Sequence, residues 1–283
     1  MADEILTVII LTYNQKDYIE KAVKGVLEQE TNFNFKVIIS DDCSSDGTTD
    51  IVRRYAEADK RIIPVLREKN IGAKESSKSC LRMIDTKYFA VLDGDDYWTD
   101  KTKLQQQIDL LEKHPDCTIC SHETEVHSYK GVTAMQVRDS FKKPLDKETY
   151  IWDIKNTPYT HTSSRVYRNI IPKDNEKILD FIAMDIFLYY YALDKGKNIY
   201  INKNMSVYNY TGSGIYSSMD DKERIYDEAK ALISLDYMLD YKYTDMFLTR
   251  LTRSIYKRIF KLQFHTKNRR IILECKKMKI KTP

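Results

Sequence analysis

Three short apolar runs near the start of this chain each end in a polar cluster, and the ends recur at whole βα spacings. Ile5–Leu11 runs into Thr12-Tyr13-Asn14, Phe35–Ser40 into Asp41-Asp42, and Tyr88–Leu92 into Asp93-Gly94-Asp95-Asp96. One such cluster is easily a turn or a helix cap. Three of them, each following a β-rich run and preceding a helical pattern, require strands that point the same way in one sheet. Ligands of open parallel sheets sit beyond the carboxyl ends of the strands. The three clusters are therefore expected to meet along one edge.

The segments between them read as helices over Asp17–Gln29, Thr48–Ala58, Ala73–Ile84 and Lys101–Lys113, with a further strand at Ile62–Leu66. This order predicts an α/β fold with a mostly parallel sheet flanked by helices. From Cys117 the pattern is less regular. Cys117–His122, Thr162–Tyr167, Asn198–Ile201 and Met205–Tyr210 read as strands, and Lys130–Pro158 as loop. Asp185–Leu193 reads as a short helix stopped by the Lys-Gly-Lys at 195–197. The Thr-Gly-Ser-Gly turn at 211–214 marks a boundary, giving an α/β domain over 1–215 and a basic helical extension over 216–283. A chain of 283 residues, 42% of them apolar, can bury the core such a domain needs.

Charge is placed unevenly. Arg250 to Lys281 holds twelve Lys/Arg and one acidic residue, Glu274, so the rest is net acidic although the whole carries +4. Such a tail is either a solvated basic helix face or a contact for an anionic partner. Arg269-Arg270 and Lys276-Lys277 sit in no nucleic-acid-binding motif, so nucleic acid is not expected as a partner. An anionic membrane surface accounts for the tail equally well. Asp3 and Glu4 precede an apolar run too short for a secretory signal, and no stretch reaches membrane-spanning length. The expected location is the cytoplasm, with peripheral attachment to the inner face of the plasma membrane as its variant. Five cysteines form no disulfide framework and fit a reducing compartment. Cys117-x-x-Cys120 invites a zinc reading, but strand residues three apart face opposite sides.

Asp93-Gly94-Asp95 carries the sharpest chemical signal. Carboxylates gathered at one strand end repel one another unless a cation is present. Mg²⁺ and Mn²⁺ take oxygen ligands and are often held by one or two carboxylates together with substrate phosphates. Tyrosine is abundant, 21 against 9 Phe and 2 Trp, and its ring stacks on sugars and bases while its hydroxyl hydrogen-bonds.

Taken together, Thr7–Asn14, Asp41-Asp42-x-Ser44-x-Asp46-Gly47-Thr48, Asn70-Ile71-Gly72 and Leu92-Asp93-Gly94-Asp95-Asp96 resemble the inverting family 2 glycosyltransferases of the GT-A fold, bacterial members in particular. The resemblance is specific in order and spacing to about residue 113. It continues through Lys103-Leu104-Gln105-x-Gln107, His161-Thr162-Ser163-Ser164, Asp185 and the turn near Tyr208–Ser217. It implies a nucleotide site built from Thr12, Tyr13, Asn14, Asp41, Asp42, Asn70, Gly72, Asp93, Gly94 and Asp95. Tyr13 and the Asp41/Asp42 pair would hold the base, one aspartate accepting a uracil imide N–H. Asp93 would contact the ribose, and Asp95 would bind a Mn²⁺ or Mg²⁺ ion that bridges the diphosphate.

The resemblance also makes Asp185, eleven residues before Gly196, the catalytic base, with Asp180 as its competitor. Asp185 as a first-turn helix acid is the plainer alternative. Asp96, Trp98 and His161 fall on the acceptor side; Trp98 reads equally as core and His161 equally as a structural hydrogen-bonding residue. Two positions depart from the family pattern: Met184 stands where an acid often precedes the base, and Tyr208–Gly212 lacks the histidine often found near the metal.

The implied activity is metal-dependent transfer of a hexosyl or N-acetylhexosaminyl group from a nucleotide diphosphate, expected to be a UDP-sugar. The implied acceptor is a hydroxyl of a glycan or lipid-linked molecule in bacterial surface polysaccharide or glycoconjugate synthesis. Two other classes compete. Nucleotidyl transfer needs a glycine-rich basic loop after the first strand, and Leu11–Lys16 is not one. A non-catalytic nucleotide-sugar-binding module or scaffold would not need Asp93, Asp95 and Asp185 together.

Overall fold

The computed structural model describes residues 4–128, 131–134, 149–211, 219–252 and 255. Strands β1 (Glu4–Thr12), β2 (Asn34–Asp41), β3 (Ile62–Leu66) and β4 (Tyr88–Asp93) are parallel and stand in the order β3-β2-β1-β4. Leu6, Val8 and Ile10 of β1 share one core layer with Val37 and Ile39 of β2, while Ile9 and Ile38 are buried on the opposite face. Burial on both faces explains why these strands read as unbroken apolar runs. The crossovers are α1 (Lys16–Leu27), α2 (Thr48–Ala58) and α3 (Ala73–Met83). Helix α1 buries Ile19, Ala22, Val23 and Val26, one stripe of a 3.6-residue repeat.

The register decides where the polar strand ends fall. Thr12 pairs with Asp41, and Leu11 pairs with Asp93. Neighbouring strands lie about 4.8 Å apart, so the three clusters form one row at the carboxyl edge.

Beyond β4 the chain adds β5 (Tyr97–Trp98), α4 (Lys103–Lys113), β6 (Cys117–Ser128), β7 (Gly131–Ala134), β8 (Thr149–Trp152), β9 (Val166–Arg168), α5 (Glu176–Ile182), α6 (Asp185–Lys195) and β10 (Lys197–Tyr210). The sheet continues β4-β9-β6-β10-β5, with β7 on β6 and β8 on β10. Here it is mixed: β9 runs antiparallel to β4 and β6, whereas β6 and β10 are parallel.

Three local expectations change. Thr162–Ser164 is a 3₁₀ turn, not strand, and pairing starts only at Val166. The His161 side chain accepts the Ser163 N–H, a local bond that competes with the sheet ladder. Asn198–Ile201 and Met205–Tyr210 belong to one strand, β10, whose register against β6 shifts around Asn204. Those irregularities absorb the polar residues 202–204 without ending the strand. Within the expected loop Lys130–Pro158, Thr149–Trp152 pairs with β10, and Tyr150, Trp152 and Tyr200 pack as an aromatic cluster. Residues 135–148 of that loop lie outside the described residues.

Helix α4 buries a lysine. Lys103 is inaccessible, its ammonium lies 4.0 Å from the Trp98 ring centre, and it donates to Gln107 Oε1 at 2.7 Å. Burial pulls its pKa down to about 7. The unfolded chain keeps the ordinary value near 10.5, so between those two values it binds one more proton than the fold. Stability therefore rises with pH across that window, by up to about 1.4 kcal/mol per unit. Urea unfolding of wild type and Lys103→Met at pH 7, 8 and 9 checks this. Wild type should gain on the variant as pH rises; parallel curves would show that Lys103 is charged in the fold.

The chain divides into two compact units, Met1–Gly214 and Ile215–Pro283. In the second, α7 (Asp221–Met238) opens on a capping box between Asp220 and Glu223, and another helical stretch begins at 244. The basic residues of the tail beyond Arg250 lie outside the described residues. Among the described residues no helix is long and apolar enough to cross a membrane.

Candidate active site

The carboxyl edge is tied together by its own backbone. Gly94 N–H donates to Leu11 O at 2.8 Å and Asp42 N–H to Thr12 O at 3.0 Å. Thr12 Oγ1 donates to Gln15 Oε1 at 2.9 Å. A Cβ on Gly94 would stand 2.5 Å from that Gln15 oxygen and 2.8 Å from Thr12 Oγ1, so only glycine lets the Asp93–Asp96 turn approach β1 this closely. Asn14 adopts a positive φ of 50°, donates its N–H to Ser44 Oγ and accepts from Ser45 N–H. The β1 and β2 loops are thereby fastened to each other, leaving Tyr13 48% exposed at the edge.

Both aspartates of the second cluster are buried and already engaged. Asp41 accepts the hydroxyls of Ser44 and Thr49. Asp42 accepts Ile71 N–H at 2.9 Å on one oxygen and Gly72 N–H at 2.8 Å on the other. Asn70 Oδ1 also accepts from Gly72 N–H, and Gly72 holds a φ of 86° that suits glycine. The Asp41/Asp42 pair and Asn70–Gly72 thus organise two loops of the edge. A base would have to share an oxygen with these protein donors.

The third cluster is electrostatically unsettled. Burial pushes Asp93 up to about 7, with Asp95 and Asp185 adding to the effect. Burial also raises Asp95, against an opposing hydrogen bond from Gln15. Asp96 is raised further, by burial and then by Asp93 and Asp95. Asp96 is 1% exposed; its Oδ1 accepts Asn209 N–H at 3.0 Å, but its buried Oδ2 has no hydrogen-bond partner. The nearest histidine is not in Tyr208–Gly212 but comes from the turn before β9. His161 Nδ1 lies 3.7 Å from Asp96 Oδ2, and its ring stacks on Tyr208 at 4.3 Å. Burial, with the Arg165 charge, lowers His161 to about 4, so it is neutral.

Asp185 opens α6 at the same edge. Its Oδ2 accepts the Tyr159 hydroxyl at 2.6 Å and the Thr162 hydroxyl at 2.9 Å. Burial pushes this carboxyl up, but the Arg165 charge and those two hydroxyls outweigh it and hold Asp185 below the ordinary value. Helix dipole and carboxylate are also favourably aligned at this position. Asp180, the competitor, is spoken for on α5, where it pairs with Lys74 at 2.7 Å and Lys78 at 3.1 Å on α3.

Trp98 packs in the core. It is 4% exposed within the main core, and its indole N–H donates to Ser163 O at 2.8 Å. Gln107 donates to Cys120 O and to Ser164 O, each at 2.8 Å. The Trp98 and Gln107 side chains thus hold the 162–164 turn from one side, while Thr162 and His161 meet Asp185 and Asp96. Cys117 and Cys120 are buried free thiols on β6, both pushed up by burial. Residues that the sequence reading missed are Gln15, Tyr159, Arg165 and Asn209. Arg165 left one signal, a lone cation directly after the His-Thr-Ser-Ser run.

Comparison with known proteins matches this architecture. The sequence model of glycosyl transferase family 2 covers residues 7–172. An uncharacterised protein of Mycobacterium tuberculosis is 31% identical over 241 residues, 83% of this chain and 68% of its own length. The UDP-Glc:alpha-D-GlcNAc-diphosphoundecaprenol beta-1,3-glucosyltransferase WfaP of Escherichia coli is 38% identical over 109 residues, 38% of this chain and 42% of WfaP. Among solved structures, Staphylococcus aureus TarS in complex with UDP-GlcNAc superposes with a TM-score of 0.65 over 89% of this chain and 73% of that chain, at 18% identity. The mannosyltransferase PcManGT of Pyrobaculum calidifontis, in complex with GDP-Man and Mn²⁺, gives 0.58 over 89% and 74%, at 16% identity. These two share the GT-A sheet with this chain. A family match that runs from the first strand to beyond His161, on the sheet that sugar transferases use, makes this chain a glycosyltransferase of glycosyl transferase family 2.

Proposed function

We propose that the chain catalyses metal-dependent, inverting transfer of a sugar from a UDP-sugar to a hydroxyl of a glycan or lipid-linked acceptor in bacterial surface polysaccharide synthesis. One observation carries this reading: an ionised carboxylate with one oxygen free, Asp185, shares an edge with the mutually repelling Asp93, Asp95 and Asp96. Asp185 Oδ1 makes no hydrogen bond among the described residues, so it is available to take the acceptor's proton. As that proton leaves, the acceptor oxygen attacks the anomeric carbon from the face opposite the phosphate. The carbon–oxygen bond to the diphosphate breaks, and the nucleoside diphosphate departs. General-base help of this kind is typically worth about 10²–10⁴ in rate.

A divalent cation fits the third cluster. The donors are all carboxylate oxygens, Asp95 raises both Asp93 and Asp96, and Asp96 Oδ2 is unpartnered. Among the described residues no three His, Cys, Asp or Glu side chains form a ready-made cage, so Asp95 would hold the ion together with the donor's phosphates. When bound, Mn²⁺ or Mg²⁺ supplies stabilisation of the charge that develops on the leaving diphosphate. Asp93 would meet the ribose and Tyr13 would stack on the base. The basic tail, in this reading, attaches the enzyme to an anionic membrane surface where lipid-linked acceptors reside.

Uridine is favoured because WfaP, 38% identical over 109 residues, is named for UDP-Glc, and TarS was solved with UDP-GlcNAc. Calorimetric titration of UDP, GDP and CDP with Mn²⁺ should rank UDP tightest. Tighter binding of GDP would overturn the uridine assignment.

A further inference from the structure

Arg165 follows the 3₁₀ turn, opens no ion pair among the described residues, and is fully buried. Its guanidinium lies 4.1 Å from the Tyr189 ring centre and 4.7 Å from that of Tyr159. It donates to the Thr160 carbonyl, to Thr160 Oγ1 at 3.2 Å, to the Tyr167 hydroxyl at 3.3 Å and to the backbone carbonyl of Asp185 at 3.5 Å. Burying a guanidinium without a hydrogen-bonded carboxylate is costly, and a neutral side chain of similar length would fill the space more cheaply. A neutral side chain would not place positive charge behind Asp185.

We propose that Arg165 is a positioning residue for sugar transfer, which fixes and electrostatically supports the Asp185 carboxylate through Tyr159 and the turn before β9. This rests on the reading of Asp185 as the base. The contacts form a closed path: Arg165 stacks on Tyr159, the Tyr159 hydroxyl binds Asp185 Oδ2, and Arg165 reaches the Asp185 carbonyl. Both hydroxyl donors land on Oδ2, which leaves Oδ1 for the acceptor.

The groups that face Asp185 come from three elements. Tyr159, His161 and Arg165 come from the segment that leads through the turn into β9, Tyr167 from β9 and Asp93 from the end of β4. His161 is neutral, and burial keeps Tyr159 and Tyr167 protonated. Asp93, itself pushed up to about 7, is protonated where Asp185 titrates, so burial is what opposes ionisation of Asp185 and Arg165 favours it. Without Arg165, burial acts on Asp185 with less to counter it, so its proton affinity must rise.

The test combines the pH profile of kcat with ¹³C-carboxyl NMR, the Asp185 signal being the one missing from Asp185→Asn. In Arg165→Met, both the acid limb of kcat and the Asp185 titration should move up by one pH unit or more, with UDP affinity within about twofold of wild type. Arg165→Lys keeps a charge in the same space and should return both toward wild type. A merely structural Arg165 would give a lower Tm with an unmoved limb, and Lys no better than Met; that result overturns the proposal. Should Arg165→Met fail to fold, the wild-type titration decides. A value at or above the ordinary Asp range of about 3.9 removes the support ascribed to Arg165. Full transfer by Asp185→Asn would instead sink the base reading and Arg165's role with it. Loss of transfer in Asp185→Asn with an unmoved limb in Arg165→Met sinks the Arg165 proposal alone.

Discussion

Replacing Asp185 with asparagine is expected to lower kcat by about 10²-fold or more while leaving nucleotide affinity near normal. The two side chains have nearly the same shape. An asparagine carbonyl can still accept from Tyr159 and Thr162, so the turn and the start of α6 keep their anchors. What disappears is the anionic oxygen proposed to take the acceptor's proton. The pH dependence has a definite sign. Asp185 is held below its ordinary value, so the charged form and its share of stability are complete above the unfolded-state value near 3.8 and are lost as pH falls through the lower folded value. At neutral pH Asp185 is therefore fully ionised, and activity should show no Asp185 limb between pH 5 and 8. Steady-state kinetics and calorimetry with UDP measure the split between kcat and binding. Asp180→Asn should loosen only the pairs with Lys74 and Lys78. Near wild-type transfer by Asp185→Asn alongside loss in Asp180→Asn would identify Asp180 as the base.

The Asp95→Asn variant should lose cation-dependent diphosphate binding and yet melt at a higher temperature. Binding falls because one anionic oxygen ligand is removed; at about 1.5–3 kcal/mol for a charge-assisted contact this is roughly a tenfold to hundredfold weakening. Stability rises because burial disfavours the Asp95 charge and that charge raises the proton affinity of Asp93 and Asp96. Each ionised member makes the others costlier, and a neutral amide at position 95 relieves that repulsion. Opposite movement of affinity and stability is the mark of a site strained for function. Calorimetry of UDP with Mn²⁺, with and without EDTA, reads the first effect, and thermal melts read the second. Unchanged turnover both in EDTA and in Asp95→Asn would remove the metal from the mechanism. A lower melting temperature in Asp95→Asn would show that the carboxylates do not strain the fold.

Much of the molecule was legible from local pattern. Buried parallel strands must be apolar on both faces, so β1, β2 and β4 announced themselves as continuous runs, and polar residues appear only where those runs leave the core. That physical rule alone puts Thr12, Asp41 and Asp93 at one edge, and the register confirms their adjacency. Gly94 was legible as a position that tolerates no side chain only after its neighbours were known, since Thr12 and Gln15 arrive from the end of β1 and the loop after it.

Beyond β4 the chain interleaves β9, β6, β10 and β5 out of sequence order, and local periodicity does not encode which strand lies beside which. For that reason the sequence could not say that Trp98 packs inward under Ser163, or that Asp41 and Asp42 spend their oxygens on loop donors. Nor could it say that His161 lies beside Asp96, 65 residues earlier in the chain. Residue types and their spacing determined the family, the sheet and the carboxylates. Only the tertiary structure decided which carboxylates are paired, which are left in mutual repulsion, and which one has Arg165 behind it. Those properties depend on burial and through-space charge, which arise when distant segments are packed together.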